Sequence, residues 1–78
     1  MLTRKQKDVL KAIDVYINAN GISPTVRNLC DLLGLKSSST VHGHLNRLEK
    51  DGCITKKDTI PRSIRITERG SFILKGLW

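Results

Sequence analysis

The stretch Ser37-Ser38-Ser39-Thr40-Val41-His42-Gly43-His44-Leu45 crowds hydroxyls and imidazoles into one short segment. Hydroxyls both donate and accept hydrogen bonds, and an imidazole does either while titrating close to neutral pH, which would make a contact through His42 pH-dependent. Such groups suit reversible recognition of a surface that presents its own donors and acceptors. They do not assemble a reaction centre, because no phosphate loop, metal set or nucleophile–base arrangement accompanies them. His42 and His44 are two apart, so on a helix their side chains diverge by roughly 160°, and no Cys-x-x-Cys stands by to complete a zinc site. The sequence predicts a binding protein, not an enzyme, with no cofactor and no metal.

Charge narrows the partner. Lys and Arg number 14 against 7 Asp and Glu in 78 residues, a net charge of +7. A basic domain of this size points to a polyanion. No apolar run approaches the ~20 residues that span a bilayer, and the first residues do not read as a signal peptide. The cations are scattered and not aligned on one helix face, which argues against a membrane-surface helix. Cys30 lies among Leu29, Leu32 and Leu33, and Cys53 precedes Ile54. Both read as reduced, buried thiols acting as small hydrophobes, not as a disulfide, in a cytoplasmic protein.

The elements that must position the polar stretch follow from caps and periodicity. Thr3 with Gln6 forms a capping box, and Val9, Leu10, Ile13, Tyr16 and Ile17 then repeat at helical spacing. Asn20-Gly21 ends this first helix. Ser23-Pro24 keeps the chain extended, after which Thr25 caps a short second helix carrying Leu29, Leu32 and Leu33 and closed by Gly34. Only Leu35 and Lys36 intervene before Ser37 or Ser38 caps a third helix that runs to Lys50 or Asp51 and halts at Gly52. A helix pair joined by so short a turn is a helix-turn-helix candidate, its second member the reader. Residues 53–57 and 63–67 are β-prone runs, and Asp58-Thr59-Ile60-Pro61-Arg62 between them reads as the turn of a hairpin. The expected fold is therefore α+β, a winged helix-turn-helix of three helices followed by a β-hairpin wing. Residues 1–67 form that domain and residues 68–78 an apolar C-terminal extension.

On the third helix, Val41, Leu45 and Leu48 make one apolar stripe with His44 on its flank. Ser39, Gly43, Asn46, Arg47 and Lys50 point the other way, with Thr40 and His42 at the edges. Glycine within a helix costs about 1 kcal/mol relative to alanine. Gly43 is either a tolerated surface glycine or the place where a side chain would hold the helix off a groove floor. The DNA major groove, about 12 Å wide, admits a helix whose short polar side chains meet base edges. Phosphates would be held around it by Thr25 and Arg27 at the second helix N-terminus, by Lys36 and Ser38 at the next, by Arg47, and by Lys56, Lys57 and Arg62 on the hairpin. Any one of these cations alone reads as a solvated surface residue; their clustering about one helix is the signal.

At this level the chain resembles the N-terminal DNA-binding domain of the LexA repressors, especially the Gram-positive branch. The similarity runs from residue 2 to about 66. It rests on Leu2-Thr3 with Gln6, on Gly21-Ile22-Ser23-Pro24-Thr25-Val26-Arg27, on the run Ser37 to Leu45 with Arg47-Leu48-Glu49, and on Pro61-Arg62-Ser63-Ile64. The resemblance implies a DNA-binding repressor in the bacterial cytoplasm, at the nucleoid. Its third helix would enter the major groove of damage-response (SOS) operators, palindromes of GAAC and GTTC half-sites, in a bacterial or phage setting. It implies base reading by Ser37, Ser39, Thr40, His42 and Gly43. Asn28 departs from the family's usual glutamate, which would leave the second helix without its capping-box partner. Cys30 and Cys53 also replace commoner residues, as core substitutions that leave recognition intact.

LexA repressors continue into a serine–lysine self-cleaving domain that also dimerises them, whereas this sequence stops at Trp78, so self-cleavage is not expected of it. Two readings of the tail stand. Phe72, Ile73 and Trp78 pack back on the domain as a short extra helix, or Phe72, Ile73, Leu77 and Trp78 form a dimerisation patch for a homodimer on palindromic DNA. A rival function also stands, in which the domain is a protein-interaction module that holds a full-length repressor or another regulator through this tail.

Overall fold

The computed structural model describes residues 2–76. Its order is α1 (Arg4–Asn20), α2 (Val26–Leu33), α3 (Ser38–Lys50), β1 (Ile54–Thr55), β2 (Arg65–Ile66) and α4 (Glu68–Leu74). This is a winged helix-turn-helix.

Caps set the helix starts. The Gln6 amide N–H donates to Thr3 Oγ1 at 3.2 Å while Thr3 N–H donates to Gln6 Oε1 at 3.0 Å, so the capping box closes in both directions. The same reciprocal pair starts α2, which corrects the expectation drawn from Asn28. Thr25 N–H donates to Asn28 Oδ1 at 3.0 Å and Asn28 N–H donates to Thr25 Oγ1 at 3.1 Å. An amide oxygen accepts a hydrogen bond as a carboxylate oxygen does, though more weakly, and the shorter side chain still spans the turn. α1 ends at Gly21, whose φ of 71° lets its N–H reach back to the Ile17 carbonyl at 2.7 Å.

α1 packs against α2, α3 and α4, so it is the central helix. Leu10, Ile13, Leu29, Val41, Leu45 and Leu48 are fully buried, which makes the apolar stripe of α3 the inner one. Leu32 departs from the expected apolar set of α2, being 51% exposed. Leu29 and Leu33, four apart, share the inner face of this short helix, and position 32 falls outside it.

The hairpin is shorter than its β-prone runs. Only Ile54↔Ile66 and Thr55↔Arg65 pair. Beyond them the Ser63 hydroxyl takes over the ladder's work, accepting from Lys57 N–H and donating to the Lys57 carbonyl, both at 2.9 Å. Ile60 N–H closes a turn on the Lys57 carbonyl at 3.0 Å, Pro61 has no N–H to give, and Arg62 adopts a left-handed φ of 57°.

Residues 68–74 fold back as α4, against α1 and β2. Thr67 caps α4 by accepting from Gly70 N–H at 3.2 Å, and its own hydroxyl donates to the Gly52 carbonyl at 2.6 Å. Gly70 is buried, and a Cβ there would lie 2.3 Å from the Cys53 carbonyl oxygen. Cys30 and Cys53 are free thiols. Burial pushes the Cys53 thiol pKa up, against the opposing pull of a hydrogen bond with Arg69.

Candidate nucleic-acid interface

The outward face of α3 is built from what the core leaves over. With Val41, Leu45 and Leu48 buried, Ser39, Thr40, His42, Gly43, Asn46, Arg47 and Lys50 are all exposed. A Cβ built on Gly43 would meet nothing within 4 Å, so no packing inside the domain calls for glycine at this position. Arg47 has only a loose 3.9 Å contact with Asp51, one turn on, and its side chain is 60% exposed.

The start of α3 differs from the other helix starts. Ser37 is the N-cap in extended conformation, yet its hydroxyl makes no cap bond and lies 2.7 Å from the Ser39 hydroxyl instead. The first N–H groups of α3 therefore have no side-chain acceptor from the cap, and the helix dipole adds positive potential there. Ser37, Ser38 and Ser39 are all exposed around this end, next to exposed Lys36.

Two flanks frame the face. On one side a hollow of about 660 Å³ between α2 and α3 is lined by Arg27, Lys36, Ser38 and His42. It continues towards a groove of about 430 Å³ whose walls are the start of α2 (Thr25), the middle of α3 (His42 and Asn46) and the wing (Lys57, Ile60 and Arg62). On the other side a small hollow of about 160 Å³ brings Lys5 of α1 beside Thr40 and His44. Of the residues singled out from the sequence, Ser37, Ser38, Ser39, Thr40, His42, Gly43, Lys36, Thr25, Arg27, Arg47 and Lys57 thus lie on or around one face of α3. Two residues without an assigned role join them. Asn46 was visible on the helical wheel, whereas Lys5 is brought in by α1 packing and left no signal in the sequence.

Two of the wing cations, Lys56 and Arg62, have partners within the chain. The Lys56 side chain is only 7% exposed, and its ammonium pairs with Asp58 and lies 3.9 Å from Glu49 of α3. That ammonium holds the Asp58 carboxyl below the usual carboxylate range, with a smaller pull from His42. Arg62 is exposed, and its side chain reaches towards the end of α1 and the loop that follows it. Its guanidinium donates to the Ser23 carbonyl at 3.0 Å and to the Tyr16 hydroxyl at 3.3 Å. Both groups thus have partners within the chain, two carboxylates for the Lys56 ammonium and two oxygens for the Arg62 guanidinium.

In the tail, Phe72 is 47% exposed, while Ile73 packs against the core together with Leu74. Ile73 is half-buried and helps to anchor α4 on the core. Leu77 and Trp78 lie outside the described residues.

Comparison with known proteins now adds to the geometry. The sequence profile of the LexA DNA binding domain matches residues 1–63. The chain belongs to the LexA DNA-binding domain family. Among LexA repressors, that of Clostridioides difficile is 50% identical over 68 residues, covering 87% of this chain and 32% of the relative. That of Caldicellulosiruptor saccharolyticus is 46% identical over 72 residues, covering 92% and 36%. This LexA-type domain therefore spans about a third of the length of the curated relatives it matches. Two solved structures share its fold. A hypothetical protein from Sulfolobus solfataricus has a TM-score of 0.80 at 25% identity, covering 97% of this chain and 55% of that one. A MarR family protein from Bacillus stearothermophilus has a TM-score of 0.73 at 24% identity, covering 97% and 51%.

Proposed function

We propose that this LexA-type domain binds double-stranded DNA sequence-specifically and serves transcriptional repression at palindromic operators built from GAAC and GTTC half-sites. α3 lies in the major groove. Ser37, Ser39, Thr40 and His42 meet base edges, and Gly43 lets the helix backbone approach the groove floor. Thr25, Arg27, Lys36, Ser38, Arg47 and Lys57 hold phosphates on either side, joined by Lys5 from α1. No chemical reaction is assigned to these residues; recognition rests on hydrogen bonds, shape and charge.

The observation that carries this reading is the outward face of α3. It combines an uncapped N-terminus, a row of hydroxyls, a helical glycine that the fold does not require, and cations on both flanks. A helix buried for its own sake needs none of these. The test compares a GAAC–GTTC palindrome with a scrambled duplex of equal length at one salt concentration. Tighter binding of the palindrome, by ~10³-fold or more for specific recognition, is the expected result. Equal affinity for both duplexes rejects the reading.

A further inference from the structure

The wing has little of its own to hold it in place. Two residues in each strand make its ladder, and an isolated two-stranded hairpin is at best marginally stable. Residues 56–64 lie beyond that ladder, yet they must keep a fixed pose if the wing is to meet DNA at a set distance from α3. The structure ties this loop to the body of the domain from both ends. Lys56 reaches Glu49 on α3 while also holding Asp58. Arg62 crosses to the far side, to the Tyr16 hydroxyl near the end of α1 and the Ser23 carbonyl in the following loop, contacts between residues 46 and 39 positions apart in sequence. Arg62 is also the one non-glycine residue with positive φ among those described, a conformation that L-residues adopt only where their surroundings fix it. Lys57 differs from both. Its backbone is held by Ser63, but its side chain is exposed and no protein group among the described residues engages its ammonium.

We propose that the three wing cations divide their work. Arg62 and Lys56 are positioning residues that latch the wing to α1 and α3, and Lys57 alone of the three contacts phosphate. The Arg62–Tyr16 contact is the part of the latch that can be removed most cleanly, because Tyr16→Phe deletes one hydroxyl and leaves the ring. This assignment rests on the DNA-binding reading above, and it separates from it by experiment.

Binding of the palindrome and of the scrambled duplex is measured across a salt series for the wild type and for Lys57→Gln, Arg62→Gln, Tyr16→Phe and the Arg62→Gln/Tyr16→Phe double variant. Thermal midpoints are recorded alongside. A phosphate contact leaves a known signature. Lys57→Gln weakens both duplexes alike and lowers the salt slope by about one. A latch leaves another. Arg62→Gln and Tyr16→Phe keep the wild-type salt slope, weaken the palindrome by about three- to tenfold, and barely change the scrambled duplex. The double variant is no worse than Arg62→Gln alone, because both changes break one contact. A general loss of folding would instead lower both duplexes in proportion, together with the midpoint.

Hydrogen exchange of the wing amides, read without DNA, supplies the independent arm. Several-fold faster exchange at Ile60 in Tyr16→Phe and Arg62→Gln is expected. A salt slope lowered by about one in Arg62→Gln, or Tyr16→Phe indistinguishable from wild type in both binding and exchange, overturns the latch. Failure of the wild type to prefer the palindrome overturns the DNA reading instead, and leaves the exchange result to decide the latch. Should Arg62→Gln not fold, Tyr16→Phe carries the test.

Discussion

An alanine methyl at position 43 would point into open space, whereas one at position 70 would be driven into the Cys53 carbonyl and the Ile66 side chain, at 2.3 and 2.9 Å. Both residues are helical glycines, and the sequence offers no way to tell their reasons apart. Gly70→Ala forces the α4 backbone away from Cys53 and from Ile66 of β2, and is expected to cost about 1–3 kcal/mol, as overpacking does. Gly43→Ala removes a poor helix former and is expected to stabilise the domain by up to about 1 kcal/mol. Thermal unfolding of the two variants checks both signs. Gly43→Leu carries the functional half of the argument, since it should unfold like Gly43→Ala yet lose its preference for the palindrome. Retention of that preference would return Gly43 to the status of a tolerated surface glycine. The hydroxyl and imidazole groups of α3 were legible from residue type and spacing, because helical periodicity fixes which side of a helix each position faces. The partners of Arg62 were not, because residue type says nothing about a contact between positions 46 apart.

Among the elements, the three main helices were readable because their ends are written in short side chains. Thr3 with Gln6, Thr25 and the glycines at 21 and 34 each satisfy or release backbone groups at the places their chemistry suggests. The α2 cap still held a surprise in Asn28, and it can be tested. Thr25→Ala and Asn28→Ala each remove half of one reciprocal pair, so each is expected to cost about 1 kcal/mol. In a domain of this size that lowers the thermal midpoint by about 4–8 °C. The strands were less legible. β-prone residues extend well past the two pairs that form, and it is the Ser63 hydroxyl, a side chain acting as a stand-in for backbone, that ends the ladder. At the wing tip the depressed Asp58 carboxyl sets a direction for pH. A group whose folded pKa lies below its unfolded value contributes fully above the unfolded value and loses that contribution as pH falls through the folded one. The Lys56–Asp58 pair is thus intact at neutral pH. Protection of the wing amides, measured against their intrinsic exchange rates, is expected to fall only in acid, below the ordinary carboxylate range.

At the scale of the whole domain, size decides the binding stoichiometry. Its longest dimension is 30 Å, less than the 34–36 Å or so that separates half-sites one helical turn apart. One copy is therefore expected to cover one half-site and a palindromic operator to take up two, a ratio that sedimentation of the complex measures directly. A covalently joined pair of domains should bind the palindrome ~10²–10⁴-fold more tightly than a single domain, given a linker that spans the sites. Affinity for a lone half-site should hardly change. The overall architecture could be read in outline from three capped helices and a basic hairpin. The placement of α4 could not, since an apolar tail reads equally well as a packed helix or as an open patch. Ile73 and Leu74 turned inward and Phe72 did not.

That placement has a mechanical side. The Thr67 hydroxyl grips the Gly52 carbonyl just past the end of α3, and Gly70 sits on the next carbonyl along, so α4 is geared to the recognition helix through two contacts at a single corner. A pull on α4 would be felt first at these two carbonyls, in the turn that closes α3. On the proposed reading, a partner that grips α4 is expected to bear on the pose of α3 against DNA, as a handle bears on its blade.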